Sequence, residues 1–376
     1  MKRLVVAGRR EPAPAVSAFT DGSPVDGCDP GFSEAVIHWQ KKHGRHGLPW
    51  QNTRDAYRIW LSEIMLQQTQ VAAVIPYYER FLKRFPDVES LASAPAEDVM
   101  AHWSGLGYYS RARNLHQCAQ RVVTEFGGRF PDDAETLADL PGIGRSTAAA
   151  IAAFAYGRRA AILDGNVKRV FARVFGVDGY PGDKPVENLL WQRAVALLPV
   201  MGVEAYTQGL MDLGATLCSR SKPGCAACPL ADRCAALQAG RVDELPMRKP
   251  KKSIPEKQAT MLVVIDRNQV LLQQRPPRGI WGGLLSLPEI TCEVTDHELA
   301  FAQTLAPFGV VKAAERLPGF SHTFTHFKLH VMPYRVTLSR RLHVAGQSDH
   351  VWYQAGALAA APLPAPVKKL LLSLFT

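Results

Sequence analysis

LPGIGRST, residues 140–147, followed downstream by Asp164 in LDGN (163–166), is the stretch whose reading decides the fold. A Pro-Gly-x-Gly turn between helical segments bends the backbone tightly and leaves amide N–H groups facing outward, with no side chains in the way. Such a turn suits a phosphodiester oxygen, and an acid just downstream would lie close to the sugar of the gripped strand. A glycine-capped connection between two structural helices would use the same residues, so the rest of the chain must decide between the two.

A chain of 376 residues exceeds one ordinary domain, so two domains are expected, each with its own core. Lys and Arg number 44 against 34 Asp and Glu, a net charge of +10, which favours an anionic partner such as nucleic acid. No stretch approaches the ~18–20 uncharged apolar residues that a membrane span needs. The opening MKRLVVAGRREP is interrupted by Arg9, Arg10 and Glu11 and is no secretory signal, so a cytoplasmic location is expected. Residues 1–30, rich in Pro, Gly, Ser and Asp, read as a disordered tail.

Residues 31–240 read as mostly helical. Tyr57, Trp60, Leu61, Ile64, Gln68 and Val71 follow helical spacing, with Pro76 expected to break the run. Helical stretches follow at 95–103, 110–126, 132–139, 146–156 and 166–176, the segment at 146–156 closing on Gly157. RVDELPMRKPKKSIPEK (241–257) mixes prolines with Arg248, Lys249, Lys251 and Lys252 and reads as an exposed basic linker. Beyond it the period changes to two. Residues 261–266, 270–275 and 328–338 read as strands and 366–375 as a closing helix, so an α+β domain over 258–376 follows an all-α one.

Cys218, Cys225, Cys228 and Cys234 are spaced C-x6-C-x2-C-x5-C. Structural zinc generally uses two close pairs set a dozen or more residues apart. One close pair flanked by single cysteines in a compact loop better suits a [4Fe–4S] cluster, with zinc as the alternative. Arg220, Lys222 and Arg233 lie among these cysteines, so a cluster there would pin a basic loop without needing a redox role. Cys28, Cys118 and Cys292 lack such partners and read as incidental.

Glu63 lies in WLSEIMLQQTQV and, on a helix, shares a stripe with Gln67 and Gln70 beside the apolar face. A carboxyl bordered by Ile59, Trp60 and Leu66 would be partly desolvated and keep its proton near neutral pH, although a solvated helix-surface Glu has the same spacing. Gln67 and Gln68 are amides able to hydrogen-bond bases. Asp164 precedes a helix start, where capping N–H groups and the positive helix end would keep it ionised. A protonated acid beside an ionised one is what cleavage of a glycosidic bond requires.

Taken together, WLSEIMLQQTQV, GLGYYSRARN, LPGIGRSTAAAI, ILDGNVKRV, MDLGA and the cysteine spacing resemble the helix-hairpin-helix DNA glycosylases, most closely the MutY-type adenine DNA glycosylases. The likeness covers 31–240 almost without gaps and continues past the linker. It implies removal of adenine mispaired with 8-oxoguanine or guanine in double-stranded DNA by a monomeric base excision repair enzyme, with the adenine flipped into a pocket between helical lobes. It further implies that Glu63 protonates adenine N7, that Asp164 stabilises the oxocarbenium-like sugar, and that Asn166 and Ser146 line the site. Tyr108 would wedge into the duplex, and Gln68 would contact the opened stack. Gly142 and Gly144 would hold a backbone phosphate, directly or through a bound monovalent cation. Lys168, close by in sequence, reads as a phosphate contact, with slow trapping of the abasic product as the alternative. The endonuclease III type, which is also a lyase, carries a nucleophilic Lys where this chain has Ser146. A hydroxyl cannot form the imine, so the resemblance implies little or no lyase activity.

RPPRGIWGGLLSLPE (275–289) resembles the start of a Nudix domain. Gly283, Glu289, Glu298 and Leu299 fall in register with the Nudix box, but His297 replaces its Arg, and Phe301 and Ala302 occupy its metal-binding Glu positions. A Mg²⁺ site built on oxygen ligands does not survive that loss. The resembled glycosylases read 8-oxoguanine with a Phe-Ser-His turn in this domain; FSHTFTHF (320–327) holds a literal copy at 320–322, but the register before the strand favours Phe324, Thr325 and His326, with Thr for Ser.

Overall fold

Fourteen α-helices and eight strands follow in chain order among the residues that the computed structural model describes, namely 30–249, 253–290, 297–342 and 349–375. The tail reading therefore lies outside the described residues except at Pro30, where the first helix begins, and so do Cys28 and Cys292. The helical part runs α1 Pro30–His43, α2 Ala56–Leu66, α3 Val71–Arg84, α4 Val88–Ser93, α5 Ala96–Trp103 and α6 Ser110–Phe126. It continues with α7 Ala134–Ala138, α8 Arg145–Tyr156, α9 Gly165–Val174, α10 Lys184–Ala196, α11 Val203–Asp212 and α12 Ala235–Gln238.

Two expectations fail in the first lobe. Pro76 does not end a helix; it sits inside α3, where it forfeits one backbone bond near the amino end. The break falls earlier. Helix α2 stops at Leu66 with Gln67 as its C-cap, Gln68 takes a left-handed φ of 57°, and Gln70 is already the N-cap of α3. The stripe shared by Glu63, Gln67 and Gln70 is therefore cut after Gln67.

The helical part packs around two cores. One gathers Trp60, Ile64, Phe81, Trp103, Leu115 and Ile151 from α2 to α8. The other gathers Phe32, Val36, Phe171, Leu190, Tyr206 and Leu210 from α1 and α9 to α11. Helix α8 is built for the seam: Ala148, Ala149, Ala150, Ala152 and Ala153 are nearly all inaccessible, and their small side chains let both lobes approach it closely.

The linker reading holds only in part. Arg241 pairs with Asp178 and Glu244, Leu245 is buried, and its carbonyl accepts from Arg173 Nε at 2.7 Å, so 241–245 is docked on the helices. Residues 250–252 lie outside the described part, and β1 (Glu256–Asp266) has begun before 258. The remaining strands are β2 Gln269–Gln274, β3 Leu285–Ser286, β4 Glu289–Ile290, β5 Gly309–Arg316, β6 Phe320–Thr323, β7 Lys328–Arg341 and β8 His350–Gln354, with helices α13 His297–Leu305 and α14 Ala365–Phe375. Strand β1 is central. It runs parallel to β7 from Glu256↔Lys328 to Val264↔Val336, while β2, β5 and β6 add antiparallel neighbours to this mixed sheet.

One face of the sheet packs on Phe301, Leu305 and Phe308. The other face does not form a separate core as expected. Met261, Val263, Trp281, Leu284 and Val367 join the same apolar cluster as Trp60 and Trp103 of the helical part. Ser104 Oγ donates to Leu363 O at 3.0 Å, and Lys368 Nζ donates back to Ser104 Oγ at 3.1 Å, satisfying polar groups along this seam.

Candidate active site

Between the two helical lobes opens a cavity of about 1340 Å³, lined by Glu63, Gln67, Gln68, Ser146, Asp164 and Asn166 among others. Six of the residues picked from sequence thus share one space. Asp55 caps α2 by accepting from Tyr57 N at 2.9 Å and Arg58 N at 3.3 Å, and the helix then carries Glu63 to the cavity wall. Burial, and after it the charge of Asp164, pushes the Glu63 carboxyl up to about 8.

Asp164 is the N-cap of α9, its Oδ1 accepting from Val167 N at 2.8 Å, as the sequence indicated. Burial works against that cap. Its pKa is raised, because burial outweighs the amide bonds from Val167 and Asn166 and the charge of Arg169, all of which favour the ionised form. Asn166 Nδ2 donates to Asp164 Oδ2 at 3.4 Å, while its Oδ1 accepts from Arg169 at 2.8 Å. Glycine at 214 has a clear reason here: a Cβ would come within 2.4 Å of the Asn166 Cβ, so MDLGA must pass close against that residue.

Ser146 does more than line the wall. Its Oγ accepts from Leu163 N at 2.8 Å and so fixes the backbone immediately before Asp164. In the hairpin, α7 and α8 are joined with Gly142 at φ 79° and Gly144 as the α8 N-cap. Both glycines are exposed, whereas Ile143 is buried and its N–H turns inward to Leu140 O at 3.1 Å. Gln67 Nε2 reaches toward Gly142 O at 3.4 Å, joining the C-cap of α2 to the hairpin. Neither glycine lines the cavity, nor does Lys168, whose Nζ pairs with Glu187 at 2.7 Å.

Tyr108 stands off the cavity, 48% exposed, in a left-handed backbone at φ 49°. Bulky residues rarely adopt that conformation, and strain of this kind gathers at working positions. Arg111 secures the loop. Its buried guanidinium donates to Met65 O and Gln67 O, each at 2.7 Å, and to Gly107 O at 3.1 Å, and lies over the Tyr108 ring at 5.5 Å. Burial lowers its pKa to about 10.

Sequence reasoning missed three groups at this site. Arg45 meets the wholly buried Asp212 through its backbone N at 2.9 Å and its side chain at 2.6 Å. Arg169 joins Asn166 to Cys218 O, the latter at 2.7 Å. Arg111 is the third. The two arginines beside the motifs had one available signal, since Arg169 falls one helical turn past Asn166 and Arg111 lies within GLGYYSRARN; Asp212 lies in MDLGA, but nothing in the sequence tied it to the distant Arg45.

All four cysteines of the 218–234 loop line a second, small apolar cavity walled by Val170, Leu213 and Leu230. Arg173 donates to Cys218 Sγ at 3.3 Å and to Ser219 O at 2.7 Å. Among the described residues, no group of three or more His, Cys, Asp or Glu is gathered as the ligands of a metal ion would be. Four thiols spread around one apolar chamber, with a guanidinium beside them, are a soft donor set suited to a polynuclear iron–sulfur group.

In the C-terminal domain Phe324 N donates to Phe327 O at 2.8 Å, closing a turn that leaves Thr325 and His326 exposed at its tip and Phe324 packed inward. Phe301, at a metal-binding position of the Nudix box, is buried against Tyr334 at 4.9 Å, and Glu289 is ion-paired with Arg275. His330 bridges Ser321 Oγ at 2.8 Å and Glu256 at 2.9 Å. Among the described residues no helix is long and apolar enough to cross a membrane.

Residues 61–194 match the family of HhH-GPD superfamily base excision DNA repair proteins, and residues 260–373 match the NUDIX domain. The chain is 35% identical over 341 residues to the adenine DNA glycosylase of Buchnera aphidicola subsp. Schizaphis graminum, a match covering 90% of this chain and 97% of the relative. It is 33% identical over 366 residues to the Homo sapiens adenine DNA glycosylase, covering 82% and 67% respectively. A solved thermostable thymine-DNA glycosylase, 31% identical, superposes with a TM-score of 0.51 over 55% of this chain and 95% of its own.

Proposed function

The chain belongs to the adenine DNA glycosylase family, and from that premise we propose that it hydrolyses the N-glycosidic bond of adenine opposite 8-oxoguanine or guanine in duplex DNA, leaving the strand uncut. The observation that carries this reading is Glu63 and Asp164 on one cavity, with the Glu63 carboxyl up at about 8. A carboxylic acid that keeps its proton at neutral pH can deliver it to N7 of a flipped adenine. The bond from the sugar to N9 then breaks with its electron pair going to the base. Asp164, as carboxylate, stabilises the positive charge left on the sugar. Water adds to that carbon, and its proton returns to Glu63. Asn166 and Arg169 hold Asp164 in place, and Ser146 holds the backbone that presents it.

Ser146 supplies no amine, and Lys168 is engaged by Glu187, so the reading includes little or no lyase activity. Gly142 and Gly144 grip a phosphate, directly or through a monovalent cation, Gln67 and Gln68 face the opened stack, and Tyr108 enters the duplex. Phe324 seats the turn whose Thr325 and His326 read 8-oxoguanine. Cys218, Cys225, Cys228 and Cys234 hold one [4Fe–4S] cluster, which when bound pins the basic 218–234 loop. The enzyme acts as a monomer in the cytoplasm, on chromosomal DNA. The units acting together are the glycosylase domain, 31–240, and the lesion-reading domain, 258–376.

The test uses duplexes carrying adenine opposite 8-oxoguanine, guanine, cytosine or thymine, quenched with and without alkali. Adenine loss opposite 8-oxoguanine and guanine, with breaks only after alkali, is expected. Breaks without alkali would sink the monofunctional reading, and excision indifferent to the opposite base would sink lesion recognition.

A further inference from the structure

Arg113 stands in the first turn of α6, just past Tyr108, yet its guanidinium leaves the helical domain and donates to Gly282 O at 2.6 Å. The acceptor is held rigidly. A Cβ on residue 282 would lie 2.6 Å from Pro277 O and 3.0 Å from Pro276 O, so only glycine fits, and its carbonyl direction is set by that close approach. The preceding residue, Trp281, is buried with a left-handed φ of 53°. A bulky residue in that conformation is over-determined by its surroundings, and here the surroundings are aromatic.

The Trp281 ring lies 5.6 Å from Phe324 and 5.9 Å from His322, and Phe324 stacks on Phe327 at 4.8 Å. Those two phenylalanines are the base of the turn whose tip is Thr325 and His326. One hydrogen bond and one aromatic cluster thus connect the helix that begins behind Tyr108 to the tip of the β6–β7 hairpin. The domains are also joined elsewhere, at Ser104, Leu363 and Lys368. Arg113 is therefore not needed simply to keep them together.

We infer that Arg113, through Gly282 and Trp281, is a positioning residue for lesion recognition, holding the Thr325–His326 tip in register with the Tyr108 wedge. The inference rests on the proposed reading that Tyr108 enters the duplex and that this tip reads 8-oxoguanine. Arginine suits this position because its planar fork on a long stem spans a domain boundary while keeping a fixed direction.

The experiment measures kcat and KM on duplexes with adenine opposite 8-oxoguanine and opposite guanine, for the unaltered chain and for Arg113→Met, Arg113→Lys, Gly282→Ala and Ser104→Ala. Arg113→Met keeps the stem and removes the donor, and is expected to lower the 8-oxoguanine-over-guanine ratio of kcat/KM about tenfold, the scale of one charged hydrogen bond. The guanine-opposed substrate should keep its kcat within about twofold, because the excision chemistry is untouched. Gly282→Ala, which moves the acceptor, should reproduce the loss; Arg113→Lys should restore most of the ratio, and Ser104→Ala should leave it alone. Thermal unfolding of each variant separates misfolding from misplacement, and Arg113→Gln, which also withdraws the guanidinium, reads the same joint if Arg113→Met does not fold. Equal losses on both substrates, or an unchanged ratio in Arg113→Met, would overturn the inference. If the unaltered chain excises adenine equally opposite both bases, the reading of the tip fails first and the positioning role falls with it.

Discussion

Two glutamates, one in each domain, show what the fold does with a carboxyl. Glu63 is buried facing another acid, Asp164, so its proton is retained up to about 8. Glu289, kept in register with a metal-binding motif, is tied to Arg275, and a phenylalanine fills a neighbouring ligand position. The first environment stores an acid ready to act, while the second commits its charge to an ion pair. Residue type is the same in both, and the neighbours decide whether it does chemistry.

The sharpest way to break this comparison is to remove the Glu63 proton. Glu63→Gln should lose excision by about a thousandfold or more while still binding duplex, the range expected of a general acid. Single-turnover assays beside a filter-binding measurement separate the two, and retained excision would refute the role. Asp164→Asn should cost on the order of a hundredfold, because it removes charge opposite the developing cation but leaves the cap and the neighbouring Asn166 in place.

A pH profile sharpens the same contrast. On the proposed reading Glu63 acts in its protonated form, and its raised pKa keeps it so below about 8, so excision should fall as pH rises through 8. The same reading needs Asp164 ionised, and its pKa is also raised, so the acidic limb should lie above the ordinary carboxylate range. Stability follows the same sign. The contribution from Glu63 is fully present below its ordinary 4.5 and is lost as pH rises toward about 8, so the Tm advantage of Glu63→Gln should widen across that window. A rate flat from pH 6 to 9 would mean that another group supplies the proton.

Ser146→Ala should have a smaller effect. It strands the buried Leu163 N–H and loosens the approach to Asp164, at ~1–3 kcal/mol of stability for an unsatisfied donor and with roughly tenfold slower excision. Heat denaturation and single-turnover rates check both parts.

What could be read beforehand follows how local each signal is. The hairpin, the cap at Asp164 and the shift from helical to strand periodicity are each carried by residues close together in the chain. Burial is not local. The cap on Asp164 was legible but the desolvation that overrides it was not, since that comes from lobes meeting across the cavity. Arg45 and Asp212 pair across the whole helical domain, and no spacing rule connects them. Pro76 misled for the opposite reason, because a local breaker rule was applied to a residue that α3 carries past its first turn at the cost of one backbone bond. The shared core between domains was hidden too, as apolar patterning shows that a strand face is buried but not against what.

The smallest change in activity belongs to the second glutamate. Glu289→Gln breaks a partly buried ion pair and leaves the Arg275 guanidinium without its carboxylate, so a loss of about 1 kcal/mol of stability is expected. Excision should stay within about twofold, because Glu289 lies outside the cavity that holds Glu63. Added Mg²⁺ should leave excision equally unchanged in both forms, and isothermal titration should detect no site that Glu289→Gln abolishes. The reason is chemical: with Phe301 buried against Tyr334 and Glu289 already paired, two of the oxygen ligands that a hard cation would take from this motif are lost among the described residues. If Mg²⁺ bound there and Glu289→Gln released it, the ion pair would be an exchangeable partner. The contrast between an acid kept for chemistry and an acid retired to structure would then collapse.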